Sequence, residues 1–265
     1  MPTASISKSV ARAFKVLEFF RAAREPSTIQ GIQAALDYPY SSVRAILLTL
    51  CDEGYLSYDK AEKSYFPTHR LLHLGDWVQD PLVRARGLAD LVDAVRHRTN
   101  ETTALTTRNF IFCHFLHVRN SSQLLSIQIP EGIGLTLTNS VTGRVLLSQL
   151  DDAELDRIYN YTLYWSKNAS ATPTARRDDV EAAVQFVRTR GYLSGFDIWQ
   201  AGVGTVAYPI KVPGHDLPMA LSVSGPSRRL KATERQVREA IEVAMALHRN
   251  AAGADRKQSK SRRKA

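Results

Sequence analysis

Apolar residues in the first third of the chain recur at the spacing of three amphipathic helices. The inward positions are Val10, Phe14, Leu17 and Phe20 in the first helix, Ile29, Ile32 and Leu36 in the second, and Val43, Ile46, Leu47 and Leu50 in the third. Ser27 or Thr28 is the predicted N-cap of the second helix, and Ser41 or Ser42 that of the third. Gly54 ends the third helix, and the residues around the polar turn KAEK then alternate, which predicts a β-hairpin.

This order of elements is that of a winged helix-turn-helix, whose third helix enters the major groove of DNA. The outward positions near the start of that helix are Tyr40, Ser41, Ser42, Arg44 and Ala45, and the hairpin tip adds Lys60 and Lys63. An arginine suits a guanine edge or a phosphate, serine hydroxyls suit phosphate oxygens, and lysines suit the DNA backbone or minor groove. The simpler alternative is that the arginine is only solvated and that the serines only cap the helix.

The remainder of the chain mixes strand-like with helix-like patterns. Strands are predicted at TTALTTR, FIFCHFLHV, LLSIQI, GVGTVAYPIKV and PMALSVSGP, and a helix at RRDDVEAAVQFVRTRGY. A last helix is predicted to begin at Thr233 with the capping box TERQ and to bury Val237, Ile241, Ala244 and Met245. Strands with flanking helices predict an α+β domain with a largely antiparallel sheet.

The charge distribution limits what the basic composition implies. The net charge is +9, and the pI of about 9.7 favours a nucleic-acid partner. Residues 249–265 hold seven Lys or Arg against one acidic residue, whereas residues 1–75 hold nine against seven. Most of the surplus therefore lies in a basic tail, residues 251–265, which is predicted to be disordered. The case for DNA binding rests on the helix-turn-helix pattern instead.

Several classes of protein and of site are not indicated. No apolar run reaches the roughly 18 residues of a membrane span, and MPTASISKSVARAF lacks the apolar region of a signal peptide, so we expect a cytoplasmic protein without membrane partners. Cys113 and His117 share a strand face but lie too far apart along it to chelate one ion. No nucleophile elbow, P-loop or dinucleotide fingerprint occurs. We therefore predict no catalytic residues, no metal and no cofactor.

Specific stretches resemble the IclR family of bacterial transcription regulators. SVARAFKVLEFF, followed by STIQGIQAALDYPYSSVRAILLTLCDEGYLSYDKAEKSYFPTHRLLHLG, is similar to the family's N-terminal domain in order and spacing. Asp37 stands where the family usually has Gly, and Tyr40 and Ala45 stand where basic residues are common. RGY, GVGTVAYPI and LSVSGPSRRL are similar to the family's effector domain, and the likeness extends to about residue 250.

The resemblance implies a domain plan and an assembly. It places a winged helix-turn-helix domain at residues 1–75, a linker helix region at 76–99 and a GAF-like effector-binding domain at 100–250. It also implies a homodimer or a dimer of dimers on a double-stranded DNA operator. The apolar faces of the first helix and the linker helix are the candidate dimer surfaces.

The resemblance also implies an effector pocket in the second domain. Val141 and Thr142 match the helix start that lines the family's pocket, and Thr205 falls where some members have Cys. The remaining candidates are Ser222 and Ser224 as hydroxyl donors and Phe196, Trp199 and Tyr208 as apolar walls. Residues 222 and 224 are two apart on one strand, so their side chains face the same side of the sheet. The simpler alternative is that these hydroxyls bond to neighbouring backbone.

These patterns predict a ligand-responsive transcription regulator, either a repressor or an activator, that controls catabolic genes. The predicted effector is a small organic acid, and the aromatic walls favour an aromatic or bulky acid over a short one. One alternative is an enzyme that acts on a small acid bound in the second domain, with the helix-turn-helix as an interaction module. Another is an architectural DNA binder that relies on its basic tail.

Overall fold

The protein divides into two compact units, Met1–Asp80 and Pro81–Ala265. The computed structural model describes residues 7–74, 87–129, 134–168, 173–212 and 217–262. Within those ranges, no helix combines the length and the apolar character that crossing a membrane requires. Residues 76–86 of the linker region predicted at 76–99 lie outside the described residues, and residues 88–99 form a helix of the second unit.

The first unit is a winged helix-turn-helix. Its helices are α1 (Lys8–Ala23), α2 (Ile29–Leu36), α3 (Tyr40–Asp52) and α4 (Arg70–His73). Its strands are β1 (Ser27–Thr28), β2 (Leu56–Asp59) and β3 (Ser64–Pro67), which form an antiparallel sheet in the order β1-β3-β2. The predicted hairpin is therefore confirmed, and β1 is a third strand that was too short to recognise in the sequence.

The core of this unit excludes the first half of α1. Its buried side chains are Val16, Phe20, Ile32, Val43, Ile46, Leu47, Leu56 and Tyr65. Val10 and Phe14 were predicted to face inward, but they are 55% and 65% exposed. The prediction was wrong there because α2, α3 and the sheet contribute enough surface to cover only the second half of α1.

The caps of the two motif helices differ from each other. The Thr28 hydroxyl accepts a hydrogen bond from the amide of Gly31, which confirms the predicted cap of α2. The predicted serine cap of α3 is wrong, since α3 begins at Tyr40 after Pro39 and no side chain caps it. Asp37 ends α2 in the left-handed conformation with φ 51°, which explains why glycine is usual at this turn position.

The second unit is an α+β domain built on one antiparallel sheet. Its strands are β4 (Thr102–Asn109), β5 (Phe112–Arg119), β6 (Gly134–Thr136), β7 (Leu193–Phe196), β8 (Val203–Ile210) and β9 (Met219–Pro226), in the order β6-β5-β4-β9-β8-β7. Its helices are α5 (Leu88–Thr99), α6 (Val141–Leu147), α7 (Asp152–Asn168), α8 (Arg177–Arg190) and α9 (Ser227–Arg262). The predicted fold class is confirmed.

Helices cover both faces of the sheet. One core, which includes Cys113, Ala207 and Ala220, packs against α6, α7 and α8. The other, which includes Val206 and Leu221, packs against α5 and α9. Alternate residues of each strand thus enter different cores, and this alternation decides which side chains reach a site on either face.

Three predicted elements of the second unit need correction. LLSIQI forms no strand, because its backbone is held by side chains instead, as in the hydrogen bond from the Thr102 hydroxyl to the Ile127 carbonyl. The last helix begins at Ser227 rather than Thr233, and the Thr233 hydroxyl bonds within the helix to the Arg229 carbonyl. Residues 251–262 continue this helix where a disordered tail was predicted, since the segment has no proline and is rich in helix-forming residues.

Candidate DNA-reading helix and effector pocket

The third helix separates its apolar and polar faces sharply. Val43, Ile46 and Leu47 are buried in the core of the first unit. The outward positions Tyr40, Ser41, Arg44 and Ala45 are exposed. Arg44 forms no hydrogen bond or ion pair with the described residues, so its guanidinium is available to a partner. This geometry is the one that a major-groove helix requires.

Ser42 belongs to the same turn but is already engaged. Its hydroxyl accepts a hydrogen bond of 2.9 Å from the Arg12 guanidinium, which also lies 5.0 Å from the centre of the Tyr38 ring. Arg12 thereby brings a positive charge from α1 to the start of α3. Arg12 is not among the residues predicted from the sequence, because helical periodicity does not reveal which polar residue of one helix contacts another helix.

The hairpin tip presents its two lysines to solvent. Lys60 and Lys63 are both exposed, and Lys63 adopts the left-handed conformation with φ 49°. Asp59 fixes the turn, because its carboxylate accepts hydrogen bonds from the amides of Ala61 and Glu62 at 2.8 and 3.2 Å. The tip is therefore an ordered wing that carries two lysines and two acidic residues, Asp59 and Glu62.

The second unit contains a cleft of about 90 Å³, partly open to solvent, on the sheet face covered by α6. Its polar lining residues are Gln128, Ser140, Thr142, Thr205 and Ser224. Its other lining residues are Phe115, Ile129, Leu135, Val141, Gly195, Ile198, Trp199 and Val203. An apolar cleft with a few converging polar groups is typical of a small-molecule site.

Five of the eight candidate effector-binding residues line this cleft. Val141 and Thr142 form the first turn of α6, and Trp199 lies in the loop between β7 and β8. Thr205 and Ser224 are paired across β8 and β9, with 3.0 Å between their hydroxyl oxygens. Strand register thus brings together two hydroxyls that are 19 residues apart in the sequence.

Phe196 and Ser222 do not line the cleft. Gly195 does, so its neighbour Phe196 points to the opposite face, where Lys231 lies 5.0 Å from the ring centre. Tyr208 is also on that face, and its hydroxyl donates to Glu242 at 2.6 Å. The Ser222 hydroxyl is buried and bonds at 3.5 Å to the Ala104 carbonyl, as in the simpler alternative given above.

The start of α6 is held very close to the turn before it. The Ser140 hydroxyl accepts a hydrogen bond from the amide of Gly143 and donates to the Thr136 carbonyl. The buried Arg144 donates from Nε to the Thr138 carbonyl at 3.0 Å. Burial lowers the pKa of this guanidinium from its ordinary value, and the negative charge of Asp179 opposes the shift. These contacts fix the cleft wall that Val141 and Thr142 form.

Both loops that flank the cleft are attached to the first turn of α9. Ser227 donates a hydrogen bond to the carboxylate of Asp197, in the loop that carries Ile198 and Trp199. Arg229 donates to the carbonyl of Leu125, in the loop that carries Gln128 and Ile129, at 3.0 Å. Its guanidinium also makes a two-point ion pair with Glu101, at 2.5 and 2.8 Å. A shift of either loop would therefore act on the start of a 36-residue helix.

Cys113 lies beside the cleft, in contact with Ser140 of its lining. Its thiol is fully buried, 3.6 Å from the Ser140 hydroxyl, and burial raises the pKa of Cys113 to about 11. The thiol is therefore protonated at neutral pH, which disfavours a nucleophile or a metal ligand. Throughout the described residues, His, Cys, Asp and Glu side chains do not gather in threes as a metal site would need.

Two family models match the chain. The model of the IclR helix-turn-helix domain matches residues 9–60, and that of the bacterial transcriptional regulator IclR C-terminal domain matches residues 85–249. The second match alone spans more than half of the 265 residues. The chain belongs to the IclR family of bacterial transcriptional regulators.

Similar proteins cover nearly the same length. The Pca regulon regulatory protein of Pseudomonas putida is 24% identical over 237 residues, which are 87% of this chain and 78% of that protein. The HTH-type transcriptional regulator XynR of Escherichia coli K12 is 26% identical over 237 residues, which are 86% of this chain and 90% of XynR. Both units of this IclR-family chain therefore have counterparts in such regulators.

Solved structures share the fold. An IclR transcriptional regulator from Alicyclobacillus acidocaldarius aligns with a TM-score of 0.67 at 22% identity, over 91% of this chain and 97% of that one. Thermotoga maritima IclR aligns with a TM-score of 0.65 at 18% identity, over 93% and 98%. At these identities the likeness supports the architecture of the IclR-family chain and nothing finer.

Proposed function

We propose that the protein binds a double-stranded operator through α3 and the wing and that a small organic acid in the cleft controls this binding. The observation that carries the DNA interface is α3 itself. It exposes Tyr40, Ser41, Arg44 and Ala45 while its opposite face is anchored in the core. The exposed Lys60 and Lys63 extend the interface to the DNA backbone, and Arg12 supports Ser42.

We propose that the functional unit is a homodimer or a dimer of dimers. A single reading domain carries a surplus of only two positive charges, which limits the phosphate contacts available to it. Two such domains on a pseudo-palindromic operator raise both affinity and specificity. The exposed Val10 and Phe14 form an apolar strip on α1 that supports a dimer contact there.

The cleft supports an effector role because its apolar walls and its paired hydroxyls suit a small acid with an apolar body. The relatives described as a regulon regulator and as a transcriptional regulator support the control of catabolic genes. The ligand changes DNA binding only if it favours one arrangement of the dimer's two helix-turn-helix domains over another.

Replacing Arg44 by alanine is expected to weaken specific operator binding by about 1–3 kcal/mol, the usual cost of losing a base-reading arginine. The operator is first isolated by selection of duplexes from a randomised pool with the full-length protein. Fluorescence anisotropy then measures the affinity of each variant for that duplex and for a scrambled one. Lys15→Ala is the control, because it removes the same charge from an exposed position of α1. If Arg44→Ala and Lys15→Ala lose the same amount of operator affinity, Arg44 does not contact a base.

Replacing Thr205 by valine and Ser224 by alanine is expected to abolish the ligand response and to spare operator binding by the unliganded protein. The two changes remove the paired hydroxyls and keep most of the side-chain volume. The measurement is a thermal-shift screen of carboxylic acids followed by an operator titration with the best acid. Ser222→Ala is the matched control, since its hydroxyl lies outside the cleft lining. A normal dose response in the double variant would refute the proposed site.

The rival hypothesis, an enzyme acting on an acid in the cleft, predicts turnover. Incubating the protein with the bound acid and following its concentration by chromatography separates the two hypotheses. A regulator returns the acid unchanged, whereas an enzyme consumes it.

A further inference from the structure

The lining of the cleft offers hydrogen bonds but no charge. Over the described part of the chain, none of the lining residues is Lys, Arg, His, Asp or Glu. Arg229 lies close by, in the first turn of α9, but its guanidinium already binds Glu101 and the Leu125 carbonyl of the flanking loop. An acid that enters the cleft therefore finds no free cation among these residues.

The supply of hydrogen-bond donors is also small. One hydroxyl of the Thr205 and Ser224 pair donates to the other, so the pair retains a single hydrogen for a ligand. The Ser140 hydroxyl is used up by the Gly143 amide and the Thr136 carbonyl. The Thr142 hydroxyl, the Gln128 amide and the Trp199 indole N–H complete the side-chain donors of the lining. All of these donors are neutral, so none of them carries a charge that could offset a second carboxylate.

We infer that the effector carries a single negative charge, as a monocarboxylate with an apolar body, and that the cleft rejects a second carboxylate. This inference rests on the proposed effector role of the cleft. A carboxylate that leaves water without a cation or enough donors loses far more free energy than the apolar walls return. The charge limit follows from the polar groups of this chain and not from the size of the cleft.

The test uses acids that differ in charge but hardly in shape. Phthalate carries two adjacent carboxylates, monomethyl phthalate has nearly the same shape with one charge, and benzoate is the parent acid. Adjacent carboxylates enter together, so neither can remain in solvent at the mouth of the cleft. Isothermal titration of the full-length protein is expected to give binding of benzoate or monomethyl phthalate at least about 100-fold tighter than binding of phthalate. Butyrate, monomethyl succinate and succinate form a second series for a smaller body.

A variant adds the missing cation. Gln128 is exposed at the lining, so Gln128→Arg introduces a guanidinium without burying it. It is expected to strengthen phthalate binding at least about tenfold, because a guanidinium binds carboxylates bidentately, while Gln128→Met does not. The melting temperatures of both variants verify that the fold is kept.

The outcomes separate the charge limit from the proposed function. If phthalate binds as tightly as monomethyl phthalate, the charge limit is overturned and the acid effector stands. If single-charge acids bind but leave operator affinity unchanged, the charge limit stands and the effector role fails. If no acid of either series binds, both fail together.

Discussion

Replacing Gly143 by alanine is expected to lower the free energy of unfolding of the second unit by about 3 kcal/mol and to abolish ligand binding. A Cβ atom at position 143 would lie 2.3 Å from the Leu137 carbonyl oxygen and 2.5 Å from the Leu137 Cα. Both neighbours are backbone atoms, so no side-chain rotation relieves the clash. The turn before α6 must shift instead, and it is held by Arg144 and Ser140.

Urea unfolding followed by circular dichroism, with ligand titration on the same samples, measures both effects. Gly31→Ala on α2 is the control, because the nearest atom, the Thr28 hydroxyl oxygen, would be 3.7 Å from the new Cβ. That change is expected to stabilise the first unit by up to about 1 kcal/mol, since alanine favours a helix. If Gly143→Ala leaves the free energy of unfolding of the second unit unchanged, the turn before α6 can shift at little cost and the prediction is wrong.

The sequence predicted the first unit well because its elements depend on local pattern. Val43, Ile46 and Leu47 recur at helical spacing, and that spacing alone buries them in a small core. The same spacing placed Val10 and Phe14 inside, yet a helical stripe shows only that a face is apolar, not what covers it. That face is free in a single chain and is a dimer surface in our proposal.

Choices that depend on long-range contacts were not predictable from the sequence. The capping box at Thr233 is a valid local signal, but the last helix starts six residues earlier, where Ser227 bonds to Asp197 from another loop. LLSIQI has the composition of a strand, but it finds no pairing partner and its carbonyls accept bonds from side chains. In both cases tertiary contacts override the local preference of the sequence for a helix start or a strand.

The cleft was only partly predictable for a reason of strand geometry. Alternation correctly put Ser222 and Ser224 on one face of β9, but it does not tell how far along the strand the cleft extends. Ser222 lies opposite Ala104 and Ala207, in the middle of the sheet. Phe196 fails on alternation itself, because the adjacent Gly195 is the residue that faces the cleft.

Replacing Arg229 by alanine is expected to lower the free energy of unfolding of the second unit by about 3 kcal/mol, because it leaves a buried carboxylate without its cationic partner. The Glu101 side chain is only 3% exposed, and Arg229 satisfies both of its oxygens. The hydrogen bonds from Arg229 to Glu101 also raise the pKa of the guanidinium above its ordinary value, so Arg229 stays charged. No local pattern in the sequence indicates this pair, because its members are 128 residues apart.

Arg229→Ala should also weaken ligand binding in the cleft, because Arg229 donates a hydrogen bond to the Leu125 carbonyl of the loop that carries Gln128. Ligand affinity and urea stability are measured together in three variants. Arg229→Lys keeps the charge but loses the two-point geometry, so an intermediate loss is expected. Arg229→Met combined with Glu101→Leu removes both charges and should recover most of the stability, since no carboxylate is left unpaired. The double variant should still bind its ligand more weakly, because the loop contact depends on the guanidinium and not on the pair. If Arg229→Ala alone is as stable as the double variant, the unpaired Glu101 carboxylate does not lower the free energy of unfolding. The ion pair between Arg229 and Glu101 then does not stabilise the second unit.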